Sequence, residues 1–482
     1  MIFTSIPFFL FFISFAFLYY IFPLRFRWVW ILASSLFFYM YGNPYSIIII
    51  ASIIFVTWFC ALRMEKGPSE KVTPYFLFAI IINIALLVFF KYANFFTSTV
   101  FDLTNIVNTQ VFHAGAPYSN PFILNVIAPL GLSYVTFQAI GYLIEIKRGN
   151  HKAEGNIGYL STFLLFFPKI IAGPVERAHH ILPQLKQYKP FNYDNISKGL
   201  KLIIWGLFKK LVIADRLSIY VDAVLDNAGH HSGTSISIAV IFYVFQMYAD
   251  FSGYTDMALG ISKVLGFDLL QNFNRPLLAK SITEFWRKWH ISLSTWFADY
   301  FYTPIAISKR DWGIWSVVYA FFITFITLGF WHGANWTFVV FGALQGFILT
   351  IEFFTRKARK NMRKKIPPLL NNIIGTIFTV GYFALSLIFF RASSVKDSLI
   401  IIRRIFTIKG PVYIENPTII LFSLLGIFFL ALIELKREYF DTLFNISTNR
   451  HWFIRNCYYC FLLLAILIAG VFDGGEFIYF QF

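Results

Sequence analysis

Charge is what this chain has least of. Only 13% of its 482 residues are Asp, Glu, Lys or Arg, about half of the roughly 25% usual in soluble domains. A soluble chain of this length would fold as roughly three domains, and there is too little polar material here to cover three cores. Cysteine is nearly absent as well. Cys60, Cys457 and Cys460 cannot build a disulfide framework, and the single C-x-x-C pair has no second pair to complete a zinc site; they read as packing residues. No glycine precedes a lysine, so there is no P-loop, and H-E-x-x-H and G-x-S-x-G are missing too. Nucleotide hydrolysis, zinc proteolysis and serine-hydrolase chemistry all lose their usual support.

What is present is apolar. Hydrophobic residues make up 58% of the chain and aromatic ones 21%, with a mean hydropathy of +0.65, which points to an all-α polytopic membrane protein. Runs long enough to cross about 30 Å of hydrocarbon lie near 4–22, 27–42, 45–62, 74–90, 122–145, 200–220, 234–251, 314–331, 336–354, 371–390, 418–434 and 455–471, about twelve in all. The first run lacks a basic flank and a small-residue cleavage site, so it reads as a retained span. No tandem repeat or soluble domain interrupts the series. The whole chain, 1–482, reads as one integral-membrane domain: N-terminal spans over 1–121, a core over 122–354 and C-terminal spans over 355–482.

The net charge of +17 would suggest nucleic acid in a soluble protein. In a bundle of spans it reads instead as cytoplasmic loops rich in Lys and Arg, and no nucleic-acid partner is expected. Residues 92–146, 217–262 and 311–355 contain neither Lys nor Arg, whereas Arg356, Lys357, Arg359, Lys360, Arg363, Lys364 and Lys365 crowd one loop. That loop is placed inside, which leaves both termini and a long loop, 91–121, outside. The stretch 158–173 is apolar but short, with Lys152 and Arg177 on either side. It reads as re-entrant, a form tolerated only where protein or water covers its ends.

Two histidine motifs carry the chemistry. In the first, Ser281 and Glu284 have capping-box spacing, and Trp286, Trp289, His290, Leu293, Trp296 and Phe297 then recur at helical period. The pattern predicts an in-plane helix on the cytoplasmic side, either a plain anchor or a support for His290. In the second, Gly329-Phe-Trp331-His332-Gly333-Ala-Asn335-Trp336 sits between two spans without compensating charge. An ionisable group at that depth is a functional hypothesis by default, and Gly329 with Gly333 has the G-x-x-x-G spacing of close helix approach. Asp250, Ser252 and Tyr254 gather at one span end, where Asp250 is expected to orient a histidine or pair with an arginine. Tyr134 and Gln138 put polar groups in another span. The pairs His179/His180 and His230/His231 point to different sides of any helix, and no metal is expected there.

The runs FQAIGYLIEIKRG, FFPKIIAGPVER, YADFSGYTDMALG, NFNRPLLAKSITEFWRKWHISLSTWFADYFYTPI and TLGFWHGANW, with the final FIYFQF, resemble the membrane-bound O-acyltransferase family, in the branch of the bacterial alginate O-acetyltransferase membrane subunit. One departure is Glu176 before Arg177, where the family carries an aliphatic residue after Gly-Pro-Ile. The resemblance implies twelve or so spans with re-entrant and in-plane helices around a central tunnel, in a bacterial cytoplasmic membrane. It implies transfer of an acetyl group from a cytoplasmic donor, acetyl-CoA by this likeness, toward an extracytoplasmic polysaccharide such as alginate, peptidoglycan or another exopolysaccharide. No permanently bound cofactor is implied. By the same likeness His332 is the catalytic histidine and His290 the second one, at the cytoplasmic mouth. Asp250, Ser252, Tyr254, Trp331, Asn335, Trp336, Tyr134, Gln138 and Trp289 would support or line the path. An extracytoplasmic acetyltransferase partner is implied too, with the outward loops and FIYFQF as docking surfaces. D-alanyl transfer to teichoic acid is the nearest competing activity, and a transporter of polysaccharide precursors the competing class.

Overall fold

A segment buried in hydrocarbon must satisfy its backbone N–H groups from within, which leaves the helix as the form open to these apolar runs. The computed structural model describes residues 1–110, 123–124, 129–440, 451–473 and 477–478, and all regular structure among them is helical. The N-terminal series comprises α1 (Ile6–Ile21), α2 (Arg27–Met40), α3 (Ser46–Lys66), α4 (Ser69–Leu87), α5 (Ala93–Gln110), α6 (Leu132–Lys147), α7 (Ile157–Leu165), α8 (Phe167–Ile170) and α9 (Ala178–Lys186). Next come α10 (Tyr193–Leu207), α11 (Asp215–Leu225), α12 (Gly233–Val264), and three short helices, α13 (Ile282–Lys288), α14 (Ile291–Phe297) and α15 (Thr303–Ser308). The chain continues through α16 (Ile314–His332), α17 (Trp336–Phe354), α18 (Arg356–Arg363), α19 (Pro368–Arg391), α20 (Val395–Thr407), α21 (Pro417–Tyr439) and α22 (Trp452–Ala469).

Eight helices among the described residues are long and apolar enough to cross a membrane, the second being α4 and α5 taken together. Of the other four expected spans, 4–22, 27–42 and 200–220 are helical over nearly all their length, whereas 122–145 is helical only from Leu132, with residues 122 and 125–128 outside the described residues. However, α1, α2 and α6 have only 16, 14 and 16 residues, and the run from α10 through α11 carries Lys209, Lys210 and Asp215. The expected loop at 91–121 is corrected in its first part. The helix passes Lys91 through a π-helical turn, Val88–Tyr92, and runs on to Gln110, because Phe95, Phe96, Val100 and Leu103 keep a helical period beyond the lysine. The remainder of that loop, 111–121, and the last four residues of FIYFQF lie outside the described residues.

The chain forms two compact units. The first holds residues 17–171 and 175–188. In it α3 and α4 pack with α6, and α2 packs with α7 and α8. Asn156 caps α7 by accepting from the Gly158 N–H at 2.8 Å. The helix then stops after 9 residues, about 14 Å of length, too little to span. Residues 162–170 are buried, and the Phe167 N–H donates to Ser35 Oγ at 3.2 Å. Covered ends of this kind are what a re-entrant segment requires. Cys60 is buried in α3 as expected, whereas Cys457 and Cys460 are exposed on α22.

The second unit holds residues 2–16, 172–174 and 189–482. Its helices approach through glycine. A Cβ on Gly199 would stand 2.6 Å from the Gly260 carbonyl, and one on Gly206 would stand 2.6 Å from the Gly253 carbonyl, so α10 and α12 meet backbone to backbone at two points seven residues apart. The hairpin of α16 and α17 closes in the same way. A Cβ on Gly329 would lie 2.2 Å from the Phe338 carbonyl, and one on Gly342 would lie 2.2 Å from that of Phe325. Gly333, the other half of the expected G-x-x-x-G pair, lies past the end of α16 against the Phe338 ring.

Contacts this close leave no room for a side chain. Gly206→Val and Gly329→Val are therefore expected to lower stability by about 1–3 kcal/mol through overpacking. Gly381, where a Cβ meets nothing within 4 Å, should accept alanine without loss. Thermal unfolding of the purified protein in one detergent compares the three; an unchanged midpoint for both valine variants would contradict the packing.

Candidate active site

The capping box at Ser281 forms. Ser281 Oγ accepts from the Glu284 N–H at 3.1 Å, and Glu284 reaches back to the Lys280 N–H at 3.0 Å. The helix it starts does not run through to Phe297, which corrects the single amphipathic helix expected there. It breaks at Trp289 and His290, and His290 takes left-handed backbone angles with φ +43°. The apolar period survives the break, so the break is invisible in the pattern.

A break inside a bundle exposes polar backbone, and residues 272–274 repair it. The Asn274 N–H donates to the Lys288 carbonyl at 2.9 Å, and the Ile291 N–H donates to the Asn272 carbonyl at 2.8 Å. The Asn272 side chain does more. Its Oδ1 accepts from the Ser292 N–H at 3.2 Å and from Ser292 Oγ at 2.8 Å, and it lies 3.0 Å from His290 Nδ1. Because that oxygen is held as an acceptor by a backbone donor, Nδ1 carries the proton and Nε2 keeps its lone pair. Burial pushes the His290 imidazole well below the ordinary histidine range, so the ring is neutral.

Helix α17 anchors this assembly from the other side. The Glu352 carboxylate accepts from the Ile282 N–H at 2.9 Å, the Thr283 N–H at 2.9 Å and Thr283 Oγ1 at 2.6 Å. Two turns earlier, Gln345 Oε1 accepts from Trp286 Nε1 at 3.3 Å, while Gln345 Nε2 donates to Ser386 Oγ at 2.9 Å. Trp289 is buried and stacks on Phe285 at 5.4 Å, with Phe273 at 5.2 Å and Phe383 at 5.4 Å.

His332 closes α16 and is buried. Its ring centroid lies 4.9 Å from Trp331, 5.1 Å from Phe390 and 6.4 Å from Phe341. Trp331 is in turn 6.4 Å from His290, which also meets Phe251 edge-on at 4.7 Å. The two histidine motifs, 42 residues apart in sequence, thus share one indole between their imidazoles.

The remaining residues singled out from sequence divide. Among the described residues Asp250 neither orients a histidine nor meets an arginine. Its Oδ1 pairs with Lys210 Nζ at 2.8 Å, Lys210 also pairs with Asp215 at 2.7 Å, and Asp250 Oδ2 accepts from the Ile478 N–H at 2.8 Å. Ser252 accepts from Lys209 at 2.9 Å, and Lys209 pairs with Asp256 at 2.7 Å. Tyr254 is fully buried, 4.6 Å from Phe477. Both lysines stand in the π-helical stretch Phe208–Ala214, which links α10 to α11. Asn335 caps α17: its Oδ1 accepts from the Thr337 N–H at 3.0 Å and its Nδ2 donates to the Ser393 carbonyl at 2.9 Å. Trp336 is 53% exposed, a surface residue. Tyr134 and Gln138 belong to the first unit, where Gln138 accepts from the fully buried Lys169, and Glu176 pairs with His180 at 2.8 Å. No group of three or more His, Cys, Asp or Glu side chains fit to hold a metal occurs among the described residues.

Asn272, Gln345, Glu352 and the two lysines were not singled out from sequence. Each has a partner about 18 or more residues away in sequence, Lys210 having a nearer one as well in Asp215. The one available signal was the cost of leaving such groups in an apolar stretch.

Comparison with known proteins agrees with the motifs. The model of MBOAT, the membrane-bound O-acyltransferase family, matches residues 75–395. The probable alginate O-acetylase AlgI of Pseudomonas aeruginosa is 33% identical over 356 residues, 73% of this chain and 66% of that protein; the match thus spans just under two thirds of that relative. The peptidoglycan O-acetyltransferase of Helicobacter pylori is 32% identical over 413 residues, 79% of this chain and 74% of that protein. The teichoic acid D-alanyltransferase of Bacillus subtilis is 29% identical over 248 residues, 50% of this chain and 62% of that protein.

Removing the Asn272 side chain would leave buried donors at His290 and Ser292 without their acceptor. Asn272→Ala is expected to cost about 1–3 kcal/mol of stability, and Asn272→Asp, which keeps an acceptor, less. Denaturation midpoints of the two variants test the ordering; equal midpoints would show that the contact is idle.

Proposed function

Since the chain belongs to the membrane-bound O-acyltransferase family, we propose that this multi-pass membrane enzyme moves an acetyl group from a cytoplasmic thioester donor, acetyl-CoA, across the bilayer for O-acetylation of an extracytoplasmic polysaccharide. The observation that carries the reading is the pair of buried imidazoles on one indole, His332 at 4.9 Å and His290 at 6.4 Å from Trp331. Acetylation is favoured over D-alanyl transfer because the two acetyltransferase relatives are more similar and cover more of the chain.

Acyl transfer needs a base for an attacking hydroxyl and a place for the charge that develops. His332 takes the hydroxyl proton as the oxygen attacks the thioester carbonyl. The tetrahedral intermediate then collapses, the carbon–sulfur bond breaks, and the imidazolium returns the proton to the leaving thiolate. Carriage of the acetyl group on His332 itself is the covalent variant of the same scheme. His290, neutral and with its Nδ1 proton committed to Asn272, offers Nε2 on the donor side and shapes that wall together with Trp289. Asp250, Ser252 and Tyr254 act at one remove, by holding the ionic cluster that supports Phe251 and Phe477. A separate extracytoplasmic acetyltransferase delivers the group to the polymer, and the enzyme resides in the cytoplasmic membrane of a bacterium.

Replacing His332 by alanine should reduce polymer acetylation by about 100- to 10,000-fold, the range of a lost general base, while the protein still accumulates in the membrane. Radiolabelled acetyl-CoA given to the purified protein should be cleaved or consumed in a His332-dependent manner. Wild-type levels of transfer in the variant would sink the assignment, and transport of a polysaccharide precursor without thioester cleavage would replace the enzyme reading altogether.

A further inference from the structure

A cleft of about 280 Å³ opens in the second unit, between α13, α14 and the π-helical turn Ala298–Tyr302 on one side and α16–α17 on the other. Its walls are almost wholly apolar, with Trp286, Phe297, Phe321, Phe325 and Leu349 prominent. It lies outside the ring cluster around Trp331 but backs onto it. Ile291, the residue after His290, and Leu328, one turn before His332, both line it.

Two polar groups at the cleft have unmet needs. Thr324 Oγ1, on a residue only 4% exposed, has no hydrogen-bond partner among the described residues; a helical threonine ordinarily bonds back to its own helix. Arg287 lines the same cleft, is exposed, and has no carboxylate within ion-pair distance among the described residues. An arginine beside a membrane span is costly unless it reaches an anion or water at the interface. More positive charge lies close by. Glu352, which holds the start of α13, also pairs with Arg359 of α18 at 3.4 Å, and Arg363 donates to the Lys280 carbonyl at 3.4 Å.

We propose that this cleft binds an anionic phospholipid of the cytoplasmic leaflet, one acyl chain lying among the aromatic walls, an ester carbonyl accepting from Thr324, and the phosphate on Arg287. The three features of the site match the three parts of that molecule: an apolar tail, an acceptor at its root and a negative head. A net negative lipid such as phosphatidylglycerol fits better than a zwitterionic one because the surrounding surface is cationic. The bound chain braces the wall that carries Ile291 and Leu328, so lipid composition would tune the enzyme without touching the reacting groups. The site does not depend on the acetyl-transfer reading.

Native mass spectrometry and lipid-dependent thermal shift on the purified full-length protein test this, with phosphatidylglycerol, phosphatidylcholine and water-soluble glycerol phosphate as probes. Phosphatidylglycerol should be retained and should raise the unfolding midpoint in a saturable way, whereas phosphatidylcholine and glycerol phosphate should do neither. Arg287→Gln, at an exposed position, should weaken the response about fivefold, the worth of one cation near a phosphate surface. Thr324→Trp, which fills the cleft, should abolish it. Equal retention of both phospholipids, an equal effect of glycerol phosphate, or an unchanged response in Arg287→Gln would each overturn the proposal; the last keeps it testable even if the tryptophan variant fails to fold.

Discussion

Backbone N–H groups left over where a helix breaks inside an apolar bundle have no water to turn to, and the arrangement around both histidines follows from how this chain meets that demand. The break at Trp289 and His290 frees donors at the start of α14, and the start of α13 frees others. Asn272 answers the first set with its carbonyl and its side chain, and Glu352 answers the second with both carboxylate oxygens. Each partner comes from a distant part of the chain. Satisfying the break therefore fixes where His290 stands.

Helix α17 converts that local repair into a spacing. Glu352 and Gln345 grip α13, and on the same helix Phe338 and Phe341 pack around Phe390 and His332. The glycine contacts with α16 hold this helix at backbone distance. The position of one imidazole relative to the other is thus carried mainly by a single rod, with Trp331 between them. A second cluster, Lys209 and Lys210 with Asp215, Asp250 and Asp256, does comparable service between α12 and the π-helical stretch. Buried charges of this kind add little net stability, but they are costly to break singly, which suits them to fixing register.

Local features were legible in the sequence and non-local ones were not. The cap at Ser281, most of the helical runs and the short buried segment 158–173 rest on neighbours within a few residues, and the structure keeps them. The break at His290 was hidden because Trp286, Trp289, Leu293 and Trp296 keep their period across it. Lys91 ended a hydropathy window without ending a helix. Asp250 has its cation forty residues upstream, and no spacing rule links the two. The glycine pairs at 199/206 and 253/260 did have a signal, a repeat of seven on both helices, which hydropathy alone passes over.

The left-handed backbone at His290 narrows what evolution or an engineer can place there. Among residues with a side chain, asparagine, aspartate and histidine are several-fold enriched at such angles, and all three bring a hydrogen-bonding atom within reach of the backbone. The fold thus filters that position for polar side chains before any chemistry is asked of them. Of these, an amide could still donate to Asn272 Oδ1 as the imidazole does, whereas a buried carboxylate, which only accepts, would set two acceptors face to face, so the backbone angle and the Asn272 oxygen together narrow the choice at this position further than either does alone.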